Sequence, residues 1–175
     1  NGLWNYAIVS EDALCPSKYD GQILVPYPLE SSLSGVQRKL KRDQVLWYER
    51  TFSVPKSWQG RNILLHFGAV DHEAIVYVNG QRMASHVGGY TAFTANITSA
   101  LHDGENRLTV RVIDRTEYRL QPVGKQRLDP GGNGSIWYTS VSGIWQTVWM
   151  EPVAKQHIAD IRTIPDLDAS RFAVD

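Results

Sequence analysis

Apolar residues recur at every second position over short stretches of this chain, and clusters of Gly, Pro, Asn and Ser interrupt them about every ten residues. Successive side chains of a strand point to opposite faces, so a period of two predicts strands that each bury one side. Leu46 to Val54 is rich in aromatic and β-branched residues and stops at Pro55, which has no N–H to donate to a ladder. Asn62 to Phe67 follows a turn at Gln59-Gly60 and ends at Gly68. Ala74 to Val78 and Gln81 to His86 flank Asn79-Gly80, a pair that reaches positive φ at low cost and therefore predicts a tight hairpin. Arg107 to Asp114 places Leu108, Val110 and Val112 on one face, and Ile144 to Met150 places Trp145, Thr147 and Trp149 on one face.

With Leu3 to Val9, Gln22 to Val25 and Tyr90 to Ile97, the pattern yields about eight strands and no long amphipathic helix. Thr98 to Gly104 reads as a single helical turn with a hydroxyl at its start and a glycine at its end. Short strands separated by frequent turns predict an all-β chain folded as a β-sandwich of the jelly-roll type. Ile158 to Ile164 alternates like one more strand but has no evident partner after it, which suggests a fragment of a longer protein.

The twenty residues from Thr116 to Ser135 break the alternation, with Pro122, Gly124, Pro130, Gly131, Gly132 and Gly134 among few apolar positions. Structureless loops longer than about 15 residues are uncommon in compact domains and tend to carry function. Lys125, Gln126 and Asp129 lie in this loop, beside Arg127, and Trp137 and Tyr138 follow it; together they suit a ligand or another domain and are the candidate pocket residues. Pro26 to Gly35, rich in Pro and Ser, is a second loop that can serve the same face.

Composition narrows the function classes. The chain has 175 residues, of which 42% are hydrophobic, enough for one substantial core. Its 18 basic and 18 acidic residues balance, so nucleic acid, which demands a basic surface, is not an expected partner. No apolar run reaches the roughly 20 residues needed to cross a bilayer as a helix, and no membrane partner is expected. The first residues show neither an initiator Met nor a signal-peptide pattern, so the compartment is not readable from them. Cys15 is the sole cysteine, which excludes an internal disulfide and a cysteine zinc cluster; it reads as a small packing residue.

Catalytic signatures are missing. Ser135 and Ser142 are not centred in G-x-S-x-G, and Gly131-Gly132-Asn133-Gly134 fits no phosphate-binding loop. The five histidines show no metal spacing, and Asp71-His72-Glu73 reads as a solvated strand connection, so neither a metal nor a cofactor is assigned. No pair of carboxylates stands out as a glycosidase acid and nucleophile. The six tryptophans suit sugar stacking, although most are expected to pack in a sandwich. Asn96-Ile97-Thr98 and Asn133-Gly134-Ser135 match the glycosylation sequon.

Four ordered segments carry a resemblance. They are Trp47-Tyr48-Glu49-Arg50-Thr51-Phe52; Leu65 to Asp71 followed by Val76-Tyr77-Val78-Asn79-Gly80; His86 to Phe93; and Gly104 to Leu108 with Val141-Ser142-Gly143-Ile144-Trp145-Gln146. Residues 1–153 resemble the N-terminal sugar-binding domain of glycoside hydrolase family 2, which includes β-galactosidases, β-glucuronidases and β-mannosidases. The resemblance implies a jelly-roll, galactose-binding-domain-like sandwich followed by an immunoglobulin-like domain and a TIM barrel that holds both catalytic glutamates. Residues 154–175 then form a linker and the first strand of the immunoglobulin-like domain, and no catalytic residue is expected in this chain. Where some family members carry an Asp near a sodium ion, Ser135 to Val141 has none.

The expected function is that of a non-catalytic N-terminal domain of a retaining exo-β-glycosidase, of β-galactosidase or β-glucuronidase type, which supports the barrel and shapes its pocket. Its partners are then the carbohydrate substrate and the two following domains. A free-standing carbohydrate-binding module and a scaffold for subunit assembly, with homo-oligomerisation left open, are the alternatives. The resemblance gives periplasmic or secreted bacterial localisation as an expectation.

Overall fold

A computed structural model describes residues 1–118, 120–131 and 135–175 of the chain. Its strands, in chain order, are β1 (Gly2–Ser10), β2 (Gly21–Val25), β3 (Gln44–Ser53), β4 (Asn62–Phe67), β5 (Val70–Asp71), β6 (Glu73–Val78), β7 (Gln81–Val87), β8 (Phe93–Asn96), β9 (Glu105–Ile113), β10 (Gln126–Arg127), β11 (Tyr138–Thr139), β12 (Gly143–Ile144), β13 (Val148–Val153), β14 (Thr163–Asp166) and β15 (Arg171–Val174). Three short 3-10 turns, at Ser32–Ser34, Lys56–Trp58 and Thr98–Ala100, are the helical elements among the described residues. None of them is long and apolar enough to cross a membrane.

Two antiparallel sheets form the sandwich expected from the alternation. One has six strands in the order β2-β1-β3-β9-β6-β7, and the other has three in the order β13-β4-β8. Their facing sides bury Trp4, Tyr48, Phe67, Val76, Val110 and Ile97 in one core. Burying such side chains stabilises by roughly 1.5–3 kcal/mol each before entropy is counted. The β6–β7 hairpin turns at Asn79-Gly80 as predicted, with φ of 50° and 81°. Asn79 also ties the turn to the core: its amide donates to the Ala100 carbonyl at 2.8 Å and to the buried Asn106 side chain at 2.7 Å.

Several expectations need correction. Ile144 to Met150 is not one strand, because β12 pairs with β5 and β13 pairs with β4, and the chain bends at 145–147 between them. Trp145 leaves the ladder at that bend and donates its indole N–H to the Gly89 carbonyl at 2.8 Å. Only Phe93–Asn96 of the 90–97 stretch is a strand, where it pairs with β4. The loop after Thr116 is not structureless: β10 and β11 pair in parallel, Gln126 with Tyr138 and Arg127 with Thr139. At the end of the chain the strand starts at Thr163 and does have a partner, since Thr163, Ile164, Pro165 and Asp166 oppose Val174, Ala173, Phe172 and Arg171. Cys15 is exposed and fills no core position.

Candidate functional site

The short strands β5, β10, β11 and β12 gather at one end of the sandwich. There the connections after β2, β5 and β7 meet the long loop that runs from β9 to β12. Gly143 lies opposite Asp71 and Ile144 opposite Val70, so the β5–β12 pair fixes Asp71 at this end. Gly143 is required there: its φ is 87°, and a Cβ would collide with the Tyr48 hydroxyl. That hydroxyl accepts the Ile144 N–H at 3.1 Å.

Polar residues that the alternation left scattered converge here. Gln126 is 2% exposed; its amide donates to Asp71 Oδ2 at 2.9 Å, and its carbonyl oxygen accepts the Val141 N–H at 2.7 Å. Ser142, fully buried, donates its hydroxyl to Asp114 Oδ2 at 2.7 Å and its N–H to Glu30 Oε2 at 2.9 Å. Ser140 donates to Glu30 Oε1 at 3.1 Å, and the Gln121 amide donates to Asp114 Oδ1. The Pro26–Gly35 loop, the end of β5, the end of β9 and the long loop are thus bound together through three carboxyl groups.

Burial dominates the electrostatics. It pushes Asp71 up to about 7, the nearby Asp114 charge adds to this, and the Gln126 hydrogen bond opposes it. Glu30 is raised as well, again by burial, against the opposing hydrogen bonds from Ser142 and Ser140. Asp71 Oδ1 is buried without a hydrogen-bond partner among the described residues, and so is His72 Nδ1. A buried carboxyl with one unpaired oxygen is cheaper neutral than charged, which agrees with the direction of the shift. Gly89 packs directly on this carboxyl, leaving no room for a Cβ.

Aromatic side chains surround the network. Tyr90, 60% exposed, meets Trp145 edge to face at 5.9 Å and brings its hydroxyl to 3.5 Å from the Gln126 amide. Gly124 lies beside the Tyr138 hydroxyl, and Arg127 caps one face of Trp137 with its guanidinium 4.1 Å from the ring centroid. Trp137 and Tyr138 remain 38% and 45% exposed. Exposed aromatic rings beside hydrogen-bonding groups match the two halves of a sugar, an apolar C–H face and a rim of hydroxyls.

The structure therefore brings Gln126, Trp137 and Tyr138 to one place. Lys125 is exposed and takes no part in the buried network, and Asp129 is exposed too, its carboxylate accepting the Gly131 N–H at 3.4 Å. Asp71 and His72 overturn the solvated reading of their segment, being only 2% and 7% exposed. Glu30, Asp71 and Asp114 were not visible as a group, since 41 and 43 residues separate them in turn. Among the described residues, no group of three or more His, Cys, Asp or Glu is arranged to hold a metal ion. Asn96, of the first sequon, uses its side chain to accept the Thr98 N–H at 3.1 Å; Asn133, of the second, lies outside the described residues with Gly132 and Gly134.

Sheet order and a loop-built polar end define the class, an all-β jelly-roll domain. The chain belongs to the family described as "Glycosyl hydrolases family 2, sugar binding domain", whose model matches residues 7–150. A β-glucuronidase of Paenibacillus borealis is 35% identical over 132 residues, covering 71% of this chain and 22% of that protein. A β-galactosidase of Thermoanaerobacter pseudethanolicus is 32% identical over 124 residues, 70% of this chain and 16% of that one. The solved Faecalibacterium prausnitzii β-glucuronidase superposes with a TM-score of 0.72 at 25% identity, over 99% of this chain and 34% of its own. The chain thus spans about a fifth of the length of the curated relatives it matches.

Proposed function

We propose that this chain is the non-catalytic N-terminal domain of a retaining β-glycosidase, and that its loop-built end forms one wall of the substrate pocket. The observation that carries the reading is the buried Asp71–Gln126–Val141 and Glu30–Ser142–Asp114 network. It pins a long, glycine-rich loop against the sandwich and holds the Trp137 and Tyr138 rings at the surface. A loop that served only as a spacer would not need so many desolvated polar groups, each costly unless paired.

On this reading the acid and nucleophile come from the missing part of the protein. Residues 154–175 contribute to a following domain: the β14–β15 hairpin exposes Phe172, Val174 and Ile164, and a two-stranded hairpin alone is marginally stable in water. The relatives' names support a β-glucuronoside or β-galactoside as substrate. The pocket residues are Trp137 and Tyr138 at the rim and Gln126 beneath them, with Lys125 and Asp129 further out on the same loop.

Replacing Trp137 by Ala in the full-length enzyme tests this. Loss of a stacking contact worth about 1 kcal/mol should raise KM roughly fivefold for p-nitrophenyl β-glycosides while changing kcat less. Unchanged kinetics would remove Trp137 from the pocket and the wall reading with it.

A further inference from the structure

Three carboxyl groups meet inside the loop-built end, and among the described residues no Lys, Arg or His lies at ion-pair distance from any of them. Asp71 and Asp114 are buried and Glu30 is half-buried. Acids so far from water are ordinarily paired with a cation, whereas these meet hydroxyls, amides and a backbone N–H.

Their hydrogen bonds join two bodies. β10, β11 and residues 140–142 keep their shape through bonds to one another: the Tyr138 N–H donates to the Lys125 carbonyl at 3.0 Å, and the Ser140 N–H to the Arg127 carbonyl at 3.2 Å. The ties from this piece to the sandwich end largely on the acids, with Gln126 on Asp71, Ser140 and Ser142 on Glu30, and Ser142 also on Asp114. The Leu29 N–H adds a bond to the Ser142 carbonyl at 3.1 Å, and the Leu128 N–H adds one to Glu117 at 3.1 Å.

Ionisation sets two effects against each other. A charged carboxylate accepts each of these hydrogen bonds more strongly. Lost solvation and repulsion among the acids oppose this and prevail, since Asp71 and Glu30 are both raised despite their hydrogen bonds. The groups around Asp71 supply no compensating ion pair. They are Gln126 from β10, Tyr90 from the turn after β7, Asp114 from the end of β9, and His72 beside it in the chain, with its Nδ1 unpartnered among the described residues. Arg115, next to Asp114, is engaged by Glu11 and Glu73; Lys125 is exposed and Arg127 lies over Trp137. Tyr48 faces Glu30, and burial raises its phenol and that of Tyr90, so neither ionises before the acids do.

We propose that this carboxyl cluster is a proton-operated latch: protonated, it holds β10, β11 and residues 140–142 on the sandwich, and ionised, it releases them while the two sheets stay folded. Trp137 and Tyr138 are then fixed at the surface only in the latched state. The acids bind their protons more tightly latched than released, so latching is strongest below the ordinary carboxyl range and is lost as pH rises through about 7. Only the consequence for a substrate pocket rests on the wall reading; the latch belongs to this chain and needs no catalytic domain.

Amide hydrogen exchange on the 175-residue chain at pH 5 and pH 8, corrected for the intrinsic change in rate, tests it. The amides of Ser142 and Leu29 should lose protection by roughly ten- to a hundredfold between the two values. At pH 8 they should exchange at least about tenfold faster than those of Val110 and Leu65 in the sheets, with the far-ultraviolet circular dichroism of the folded chain retained. Asp71→Asn, which keeps an acceptor for Gln126 and cannot ionise, should remove most of the loss, whereas Asp103→Asn, in the exposed turn before β9, should leave it intact. Equal protection at the two pH values, exchange of Ser142 and Leu29 no faster than that of Val110 and Leu65 at pH 8, or a loss that persists in Asp71→Asn would each overturn the latch. The first two comparisons use the unaltered chain and decide the matter even if the variant fails to fold. Loss of protection in this chain together with unchanged kinetics of Trp137→Ala in the full-length enzyme would uphold the latch and remove only its link to the pocket.

Discussion

Asp71 is where residue-level physics makes its sharpest demand. Because its folded value, about 7, lies above the ordinary carboxyl value, the folded chain binds this proton more tightly than the unfolded chain does. The stabilisation it contributes is full below about pH 4 and is lost as pH rises through about 7. Glu30, raised for the same reason, adds in the same direction. Urea unfolding of the chain at pH 5 and at pH 8 should therefore show a loss of the order of 2–3 kcal/mol, largely abolished in Asp71→Asn. A pH profile identical in the wild type and Asp71→Asn would place the carboxyl in a wetter setting than the one described. The sequence did not betray this residue. Asp71-His72-Glu73 reads as a solvated connection because its burial is created by Gln126, 55 residues away, and by Gly89, and local polarity cannot report either.

Elements were legible in proportion to how locally they are determined. The β6–β7 hairpin follows from Asn79-Gly80, and β4 follows from its alternation between two turns, so both fall where the pattern put them. The stretch from Ile144 to Met150 misled because its apolar run spans two strands in different sheets, and the bend that separates them is set by Trp145 reaching Gly89. β10 and β11 carry too few residues for any periodicity, and their pairing depends on Gln126 being drawn inward. Gly143 joins these pieces. Gly143→Ala should destabilise the chain by about 3 kcal/mol or more, combining a left-handed backbone with displacement of the Tyr48 hydroxyl. The same variant should accelerate amide exchange at Ile144, whose N–H that hydroxyl accepts; a midpoint within experimental error of wild type would contradict the packing described.

At the scale of the molecule, a closed core occupies the sandwich and is built from residues between Trp4 and Met150. Exposed large apolar side chains occur along the chain, and Ile158, Ile161, Ile164, Leu167, Phe172 and Val174 follow one another closely in its last segment. Exposed apolar groups of that density are usual at an interface rather than on a free surface. They agree with a chain that matches 22% and 16% of the length of the Paenibacillus and Thermoanaerobacter relatives. The resemblance was readable from four ordered motifs, whereas the polar network at the loop-built end was not, because it is assembled from connections far apart in the sequence. On the function proposed above, this chain is the front part of a larger β-glycosidase. The most direct test is the mass of the native protein in its source cells, detected with an antibody raised against this chain. A band several times larger than 19.7 kDa, co-migrating with β-glycosidase activity, is the expected result. A band near 19.7 kDa would contradict it and leave a free-standing sugar-binding module in its place.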